Sequence, residues 1–113
     1  MIDNNSILQK LDGLVSRFEE VSTLITDPSV IADQQRFVKL TREYKDLGDI
    51  MDARKRYIAC LNSIAEAKDI LANENDPEMR EMAREELSVN EELQPKIEEE
   101  IKQRLVALGM PNI

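Results

Sequence analysis

The side chains in this sequence with the capacity for chemistry are adjacent carboxylates and one cysteine. Glu19-Glu20, Glu85-Glu86, Glu91-Glu92 and Glu98-Glu99-Glu100 are the residue type of general acid–base catalysis and of oxygen-ligated cation sites. Such runs on amphipathic helices are ordinarily solvated faces, and a catalytic pair needs an enclosing pocket that a few packed rods do not make. Histidine is absent, which excludes or handicaps zinc hydrolase sites, Ser-His-Asp relays and the Glu-x-x-His di-iron pattern. Cys60 is the one cysteine, so no intrachain disulfide can form, and Ala59-Cys60-Leu61 reads as a small side chain near a core. Gly13, Gly48 and Gly109 stand apart, whereas phosphate-cradling loops need clustered glycines. The expectation is a protein that is not an enzyme, with no catalytic residue, no metal site, no cofactor and no small-molecule substrate.

Charge points to association instead. Fifteen Lys plus Arg against twenty-three Asp plus Glu give a formal charge of -8, so the average surface repels nucleic-acid phosphates and any RNA contact must be weak and local. The distribution is uneven. Arg36, Lys39, Arg42, Lys45, Arg54, Lys55 and Arg56 face four acids over the same stretch, while residues 76–100 hold ten acids and three bases. The plainer reading is mutual attraction between the two segments across a helical hairpin. The functional reading has Arg36, Lys39, Arg42 and Arg54 to Arg56 touching RNA or an acidic protein. Phe18, Phe37, Tyr44 and Tyr57 fall on or beside apolar lines and read as core rather than as base-stacking platforms.

The elements that carry these residues are helices. Three Gly and four Pro in 113 residues leave few turns, and the abundance of Leu, Ala, Glu, Lys, Arg, Gln and Met favours long helices. A first helix spans about Ser6 to Ile25, capped by Ser6 or Asn5, with an apolar line through Ile7, Leu11, Leu14, Phe18, Val21 and Ile25. Gly13 lies off that line. Thr26-Asp27-Pro28 stops the helix, and Asp27 can cap a short turn of helix over Pro28 to Asp33. A long helix then runs from Gln34 to Asn73, roughly 60 Å at about 1.5 Å per residue. Its expected line is Phe37, Leu40, Tyr44, Leu47, Met51, Ile58, Leu61 and Ala65, with Arg54 in one open slot and Ile50, Tyr57, Ile64 and Leu71 beside it. Gly48 is its weak point. Asp76-Pro77-Glu78 restarts a helix from 77 to about 108, closed by Gly109-Met110-Pro111. That helix offers Met79, Ala83, Leu87, Leu93, Ile97, Ile101, Leu105 and Leu108, with polar Asn90 at an intermediate core slot, and Pro95 should bend it near Glu91.

Short turns between amphipathic helices force an up-down-up bundle with shallow crossing angles. The first helix is too short to cover the other two, so the far end of the long hairpin should project as a two-stranded antiparallel coiled coil. The fold class is all-α: a three-helix antiparallel bundle in a single domain over 1–113. No apolar run approaches a membrane span and no export signal precedes the first helix, which leads to an expectation of a cytoplasmic protein without a membrane partner.

One stretch is more specific than its composition. Leu24-Ile25-Thr26-Asp27-Pro28-Ser29-Val30-Ile31-Ala32-Asp33-Gln34-Gln35-Arg36-Phe37, then Leu40, Glu43-Tyr44 and Leu47, resembles the amino-terminal, PCRF-type domain of the bacterial class-I peptide chain release factors. Glu66 to Leu71 and Asp76 to Leu87 are similar to two further segments of that domain. The resemblance runs from about Ile7 to Leu108, and the Asp-Pro-Ser-Val-Ile-Ala-Asp segment is closer to the type that reads UAA and UAG than to the one that reads UGA. Gln94-Pro95 departs from the family pattern, and Gly109 to Ile113 does not look like its continuation into a next domain. The resemblance implies a fragment of a longer multidomain factor in translation termination, docking near the stalk base of the large ribosomal subunit and positioning the other domains. The family's Gly-Gly-Gln loop for peptidyl-tRNA hydrolysis is missing because no two glycines adjoin. Its Pro-x-Thr codon-reading motif is missing because none of Pro28, Pro77, Pro95 or Pro111 has Thr two positions on. From another class, the alternative is a free-standing coiled-coil adaptor that dimerises through its hairpin; a carboxylate enzyme within the bundle is a third.

Overall fold

The computed structural model describes residues 4–110. Four helices follow one another: α1 (Asn4–Leu24), α2 (Pro28–Ala32), α3 (Gln34–Asn73) and α4 (Pro77–Ala107), and no strand occurs among the described residues. The architecture is all-α, as the apolar periodicities require, with α2 the short turn of helix between Asp27 and Asp33.

Three aspartates punctuate the chain. Asp27 Oδ1 accepts from the Ser29 amide at 2.9 Å and its hydroxyl at 2.8 Å, and Pro28 occupies the first position of α2, where a missing N–H costs nothing. Asp33 accepts from the Arg36 amide at 3.3 Å and starts α3. Asp76 does the same for α4 through the Glu78 amide at 3.3 Å. The beginning of α1 differs from expectation: Asn4 and Asn5 are already helical, so Ser6 lies inside the helix, and its cap falls outside the described residues. At the other end Gly109 adopts φ 78°. The Gly109 amide then donates to Val106 O at 2.9 Å and the Met110 amide to Leu105 O at 2.8 Å, a Schellman closure for which glycine alone carries no Cβ penalty. Pro111, expected to share in that closure, lies outside the described residues. Pro95 sits within α4 without ending it, and α3 continues through Gly48.

α1 and α4 both lie antiparallel to α3. Asp12 and Arg17 of α1 meet Arg54 and Glu43 of α3, and Arg104 and Glu100 of α4 meet Asp49 and Arg56. Since α1 has 21 residues and α3 has 40, the third helix runs out partway, and the remainder of α3 and α4 projects as a two-stranded hairpin in a particle of 63 × 27 × 18 Å.

The packing of α3 corrects the expected register. Leu40 and Leu47 are buried as the periodicity requires, but from Ile50 onward the buried line is Ile50, Ala53, Tyr57, Cys60, Ile64 and Ala67. Met51 and Leu61 only pack at its edge, Ile58 is half-buried and Ala65 is exposed. The cause is that α3 serves α1 on one face and α4 on another, so no single line describes it. The α4-facing seam alternates large with small residues at three- and four-residue spacing, the heptad pattern of a coiled coil. Along α4, Ala83, Ile97, Ile101 and Leu105 are buried as expected, with Leu87 and Leu108 packed against the core. Met79 and Leu93, expected in the same seam, remain about two-fifths exposed. Asn90 is tolerated at its slot because it is only half-buried and its side-chain amide donates to Glu86 O at 2.8 Å, while its backbone carbonyl accepts from Cys60 Sγ at 3.3 Å.

Candidate interaction surface

The seven cations of α3 singled out by charge do not act as one group. Arg54 and Arg56 belong to the bundle: Arg54 donates to Asp12 Oδ1 at 2.9 Å, and Arg56 grips Glu100 with both terminal nitrogens and Asp52 with Nε at 3.0 Å. These bonds raise the Arg56 pKa and hold the Glu100 carboxyl down to about 2, Arg56 being the main cause and Arg104 a lesser one. The expected attraction between the basic part of α3 and acidic α4 therefore survives in the Arg56–Glu100 pair. It fails for Arg36, Lys39, Arg42 and Lys45, because the antiparallel hairpin carries the acids of residues 76–92 to the opposite end.

Arg36, Lys39 and Arg42 lie instead in the first turns of α3, in front of α2, whose Val30 is fully buried and fixes that turn against α3. Together with Leu24, Leu40 and Leu108 they line an open groove of ≈ 590 Å³ where the end of α1, the start of α3 and the end of α4 converge. The wall opposite them is a fork: Arg17 donates to Glu43 at 2.6 and 2.7 Å and to Glu20 at 3.0 Å. Hydrogen bonding from Arg17 lowers the Glu43 pKa, so at neutral pH this wall is an ion pair and not an acid–base couple. The groove also contains Asp46, which tempers its positive field. It can hold an anionic surface by charge.

The remaining candidates for chemistry lie in packed or solvated surroundings. Cys60 is buried and its thiol pKa is raised, chiefly by that burial, which suppresses the reactive thiolate. Tyr57 is fully buried and donates to Glu98 Oε2 at 2.7 Å, a carboxylate that Gln94 also reaches at 3.1 Å. Burial first and Glu98 second push the phenol pKa well above its usual range. Glu19, Glu20, Glu85, Glu86, Glu91 and Glu92 are exposed. Among the described residues no three Cys, Asp or Glu side chains gather as a metal ion requires, and no helix is long and apolar enough to cross a membrane. Of the aromatics, Phe18 and Phe37 pack against the core and Tyr57 lies within it. Tyr44 departs from expectation: it is exposed, stacked on Phe18 with ring centroids 5.4 Å apart.

Comparison with known proteins gives these features a context. Peptide chain release factor 1 of Bacteroides fragilis is 68% identical over 106 residues, covering 94% of this chain and 29% of that protein. Its namesake from Bacteroides thetaiotaomicron is 66% identical over the same shares, and that of Flavobacterium psychrophilum is 41% identical over 88% of this chain and 28% of its own length. The chain thus spans less than a third of the length of these curated relatives. No solved structure matches. The PCRF domain model matches residues 14–110, which take in α2, α3, α4 and all of their caps, and the chain accordingly belongs to the PCRF domain family.

Proposed function

We propose that this chain is the amino-terminal docking module of a bacterial release factor acting in translation termination at UAA and UAG. The observation that carries the reading is identity of 68% to a peptide chain release factor 1 over nearly the whole chain. In this role the module binds the large ribosomal subunit near its stalk base and sets the position of the codon-reading and peptide-releasing domains, in the cytoplasm. It is not itself an enzyme. The geometry supports such a part: an elongated rod of 63 Å, pinned between helices by Arg17–Glu43, Arg54–Asp12, Arg56–Glu100 and Arg104–Asp49, can transmit position over its length, and Arg36, Lys39 and Arg42 give one end a local attraction for RNA despite the overall charge.

A chimera tests this. A release factor 1 whose corresponding segment is replaced by this chain should release peptide on ribosomes stopped at UAA or UAG, within about tenfold of the parent rate, roughly 1.4 kcal/mol of activation free energy. The isolated chain should release none. Release by the isolated chain, or a chimera as slow as a factor lacking the segment, would overturn the proposal.

A further inference from the structure

Beside its buried seam, α4 carries a second apolar line. Met79, Met82, Val89 and Leu93 recur at three-, seven- and four-residue spacing, with Glu86 in the slot between Met82 and Val89. This is the same rhythm as the buried seam, displaced around the helix. The structure leaves these residues 41%, 70%, 62% and 40% exposed, half of all the large exposed apolar residues among those described. Val89 and Leu93 line one shallow depression with Glu92 and Lys96, and Leu93 also borders a groove of ≈ 280 Å³ walled on the α3 side by Arg56, Ala59, Cys60 and Ser63, with the Arg56 guanidinium already held by Glu100 and Asp52. A single strip therefore runs along the exposed side of α4 in the projecting hairpin and reaches the cleft with α3 at Leu93.

At the base of the molecule a third helix, α1, completes the packing. Over the hairpin no helix among the described residues takes that place, and the apolar strip of α4, with small Ala59 and Ser63 of α3 beside Leu93, has the form that accepts one amphipathic helix. Its surroundings choose the partner's charge. Residues 76–100 hold ten acids and three bases, and Glu78, Glu85 and Glu92 follow one another along one border of the strip at seven-residue spacing, all exposed. An RNA backbone is repelled there, and a second copy would set the same carboxylates against each other.

We propose that the exposed apolar strip of α4 in the hairpin, along Met82, Val89 and Leu93, docks a basic amphipathic helix of another protein. Its apolar residues lie on the α4 strip and its Lys or Arg residues meet the flanking glutamates. This is a surface distinct from the basic groove at the base, and it does not depend on how that groove is used.

The test uses the full chain and a synthetic 21-residue helical peptide with leucine at the two apolar positions of each heptad and lysine elsewhere on its flanks. A peptide of identical composition in scrambled order serves as control. Titration followed by backbone amide resonances should shift residues 79–93 and the facing residues of α3, with micromolar affinity and at least tenfold weaker binding of the scrambled peptide. Val89→Lys, at a position open to solvent, should reduce affinity about tenfold without altering the helical circular dichroism, and Glu85→Gln with Glu92→Gln should flatten its salt dependence. Equal binding of the two peptides would reduce the effect to net charge and overturn the proposal. So would resonance shifts centred on Arg36 to Arg42, displacement of the peptide from the strip by single-stranded RNA, or sedimentation showing a dimer that Val89→Lys dissolves.

Discussion

The base and the projecting end of this molecule are built from the same two helices and differ in how they are held. At the base, α1 joins α3 and α4, and Leu11, Val21, Leu47, Ile50, Ile101 and Leu105 are fully or almost fully buried. Among the described residues all four ion pairs between helices lie there as well. Beyond Cys60 the buried residues of the hairpin are Ile64, Ala67 and Ala83, with Leu61 and Leu87 at the edge, and the ion pair described there joins Glu81 to Arg84 within one helix. Two helices can shield only one stripe on each, whereas a third closes the structure on itself. The contrast shows where stability resides and why the hairpin end is the part free to open or to accept another helix.

The strongest way to break this contrast is to place a charge in each seam. Ile101 is fully buried in the three-helix part, and Ile101→Asp should cost about 4 kcal/mol, enough to unfold most of the chain, since an isolated carboxylate there has neither water nor partner. Leu71 is half-buried in the hairpin, and Leu71→Asp should cost about 1 kcal/mol because the aspartate can turn to solvent. Urea midpoints measure both, and equal losses would mean that the two regions are not held differently. Leu61→Asp belongs with the milder variant, because Leu61 packs beside the seam and not within it.

A smaller effect sharpens the same contrast at the hairpin turn. The last turn of α3 has no basic residue of its own, and Arg80 of α4 supplies the cation, donating to Leu71 O at 2.6 Å and Glu74 O at 3.1 Å. These carbonyls have no partner within the helix and sit at the negative end of its dipole. Arg80→Ala should cost about 1 kcal/mol. Hydrogen exchange should show where: faster exchange for amides of residues 67–74, with those of residues 40–57 unchanged. Acceleration spread evenly over α3 would make base and hairpin one cooperative unit.

What was legible in the sequence follows from which physical signals are local. Asp27, Asp33 and Asp76 cap helices through amides two or three residues away, and prolines at 28 and 77 fix the restart, so helix order and most bounds could be read directly. The register of α3 could not. Ala53, Cys60 and Ala67 carry little hydrophobic weight, yet they are buried because α4 approaches closely there, while the larger Ile58 and Leu61 are left to the side. The basic segment was legible as charge but not as partnership. Arg54 and Arg56 find carboxylates 42 and 44 residues away in the chain, a pairing fixed only by the antiparallel packing. The second apolar line of α4 was hidden because Met79 and Leu93 fit the first series equally well by spacing alone.

The smallest prediction asks whether the ion pairs at the base act by contact or by overall charge. The Glu100 carboxyl is lowered from 4.5 to about 2 by Arg56, with Arg104 assisting, so its pair stabilises the fold above about pH 4.5 and loses that effect as pH falls toward 2. Because the pair is partly exposed, its worth at neutral pH is about 1 kcal/mol or less. Glu100→Gln should therefore melt below the parent at pH 7, and the difference should close by pH 2 to 3, where the parent's own carboxyl is gaining its proton. Glu99→Gln removes the same unit of charge from a chain of formal charge -8, but Glu99 is exposed and accepts only a 3.3 Å bond from Gln103. It should melt with the parent at both pH values. If instead the two variants shift together, the base is held by relief of repulsion summed over the surface, and the distinction between a pinned base and an unpinned hairpin rests on the third helix alone.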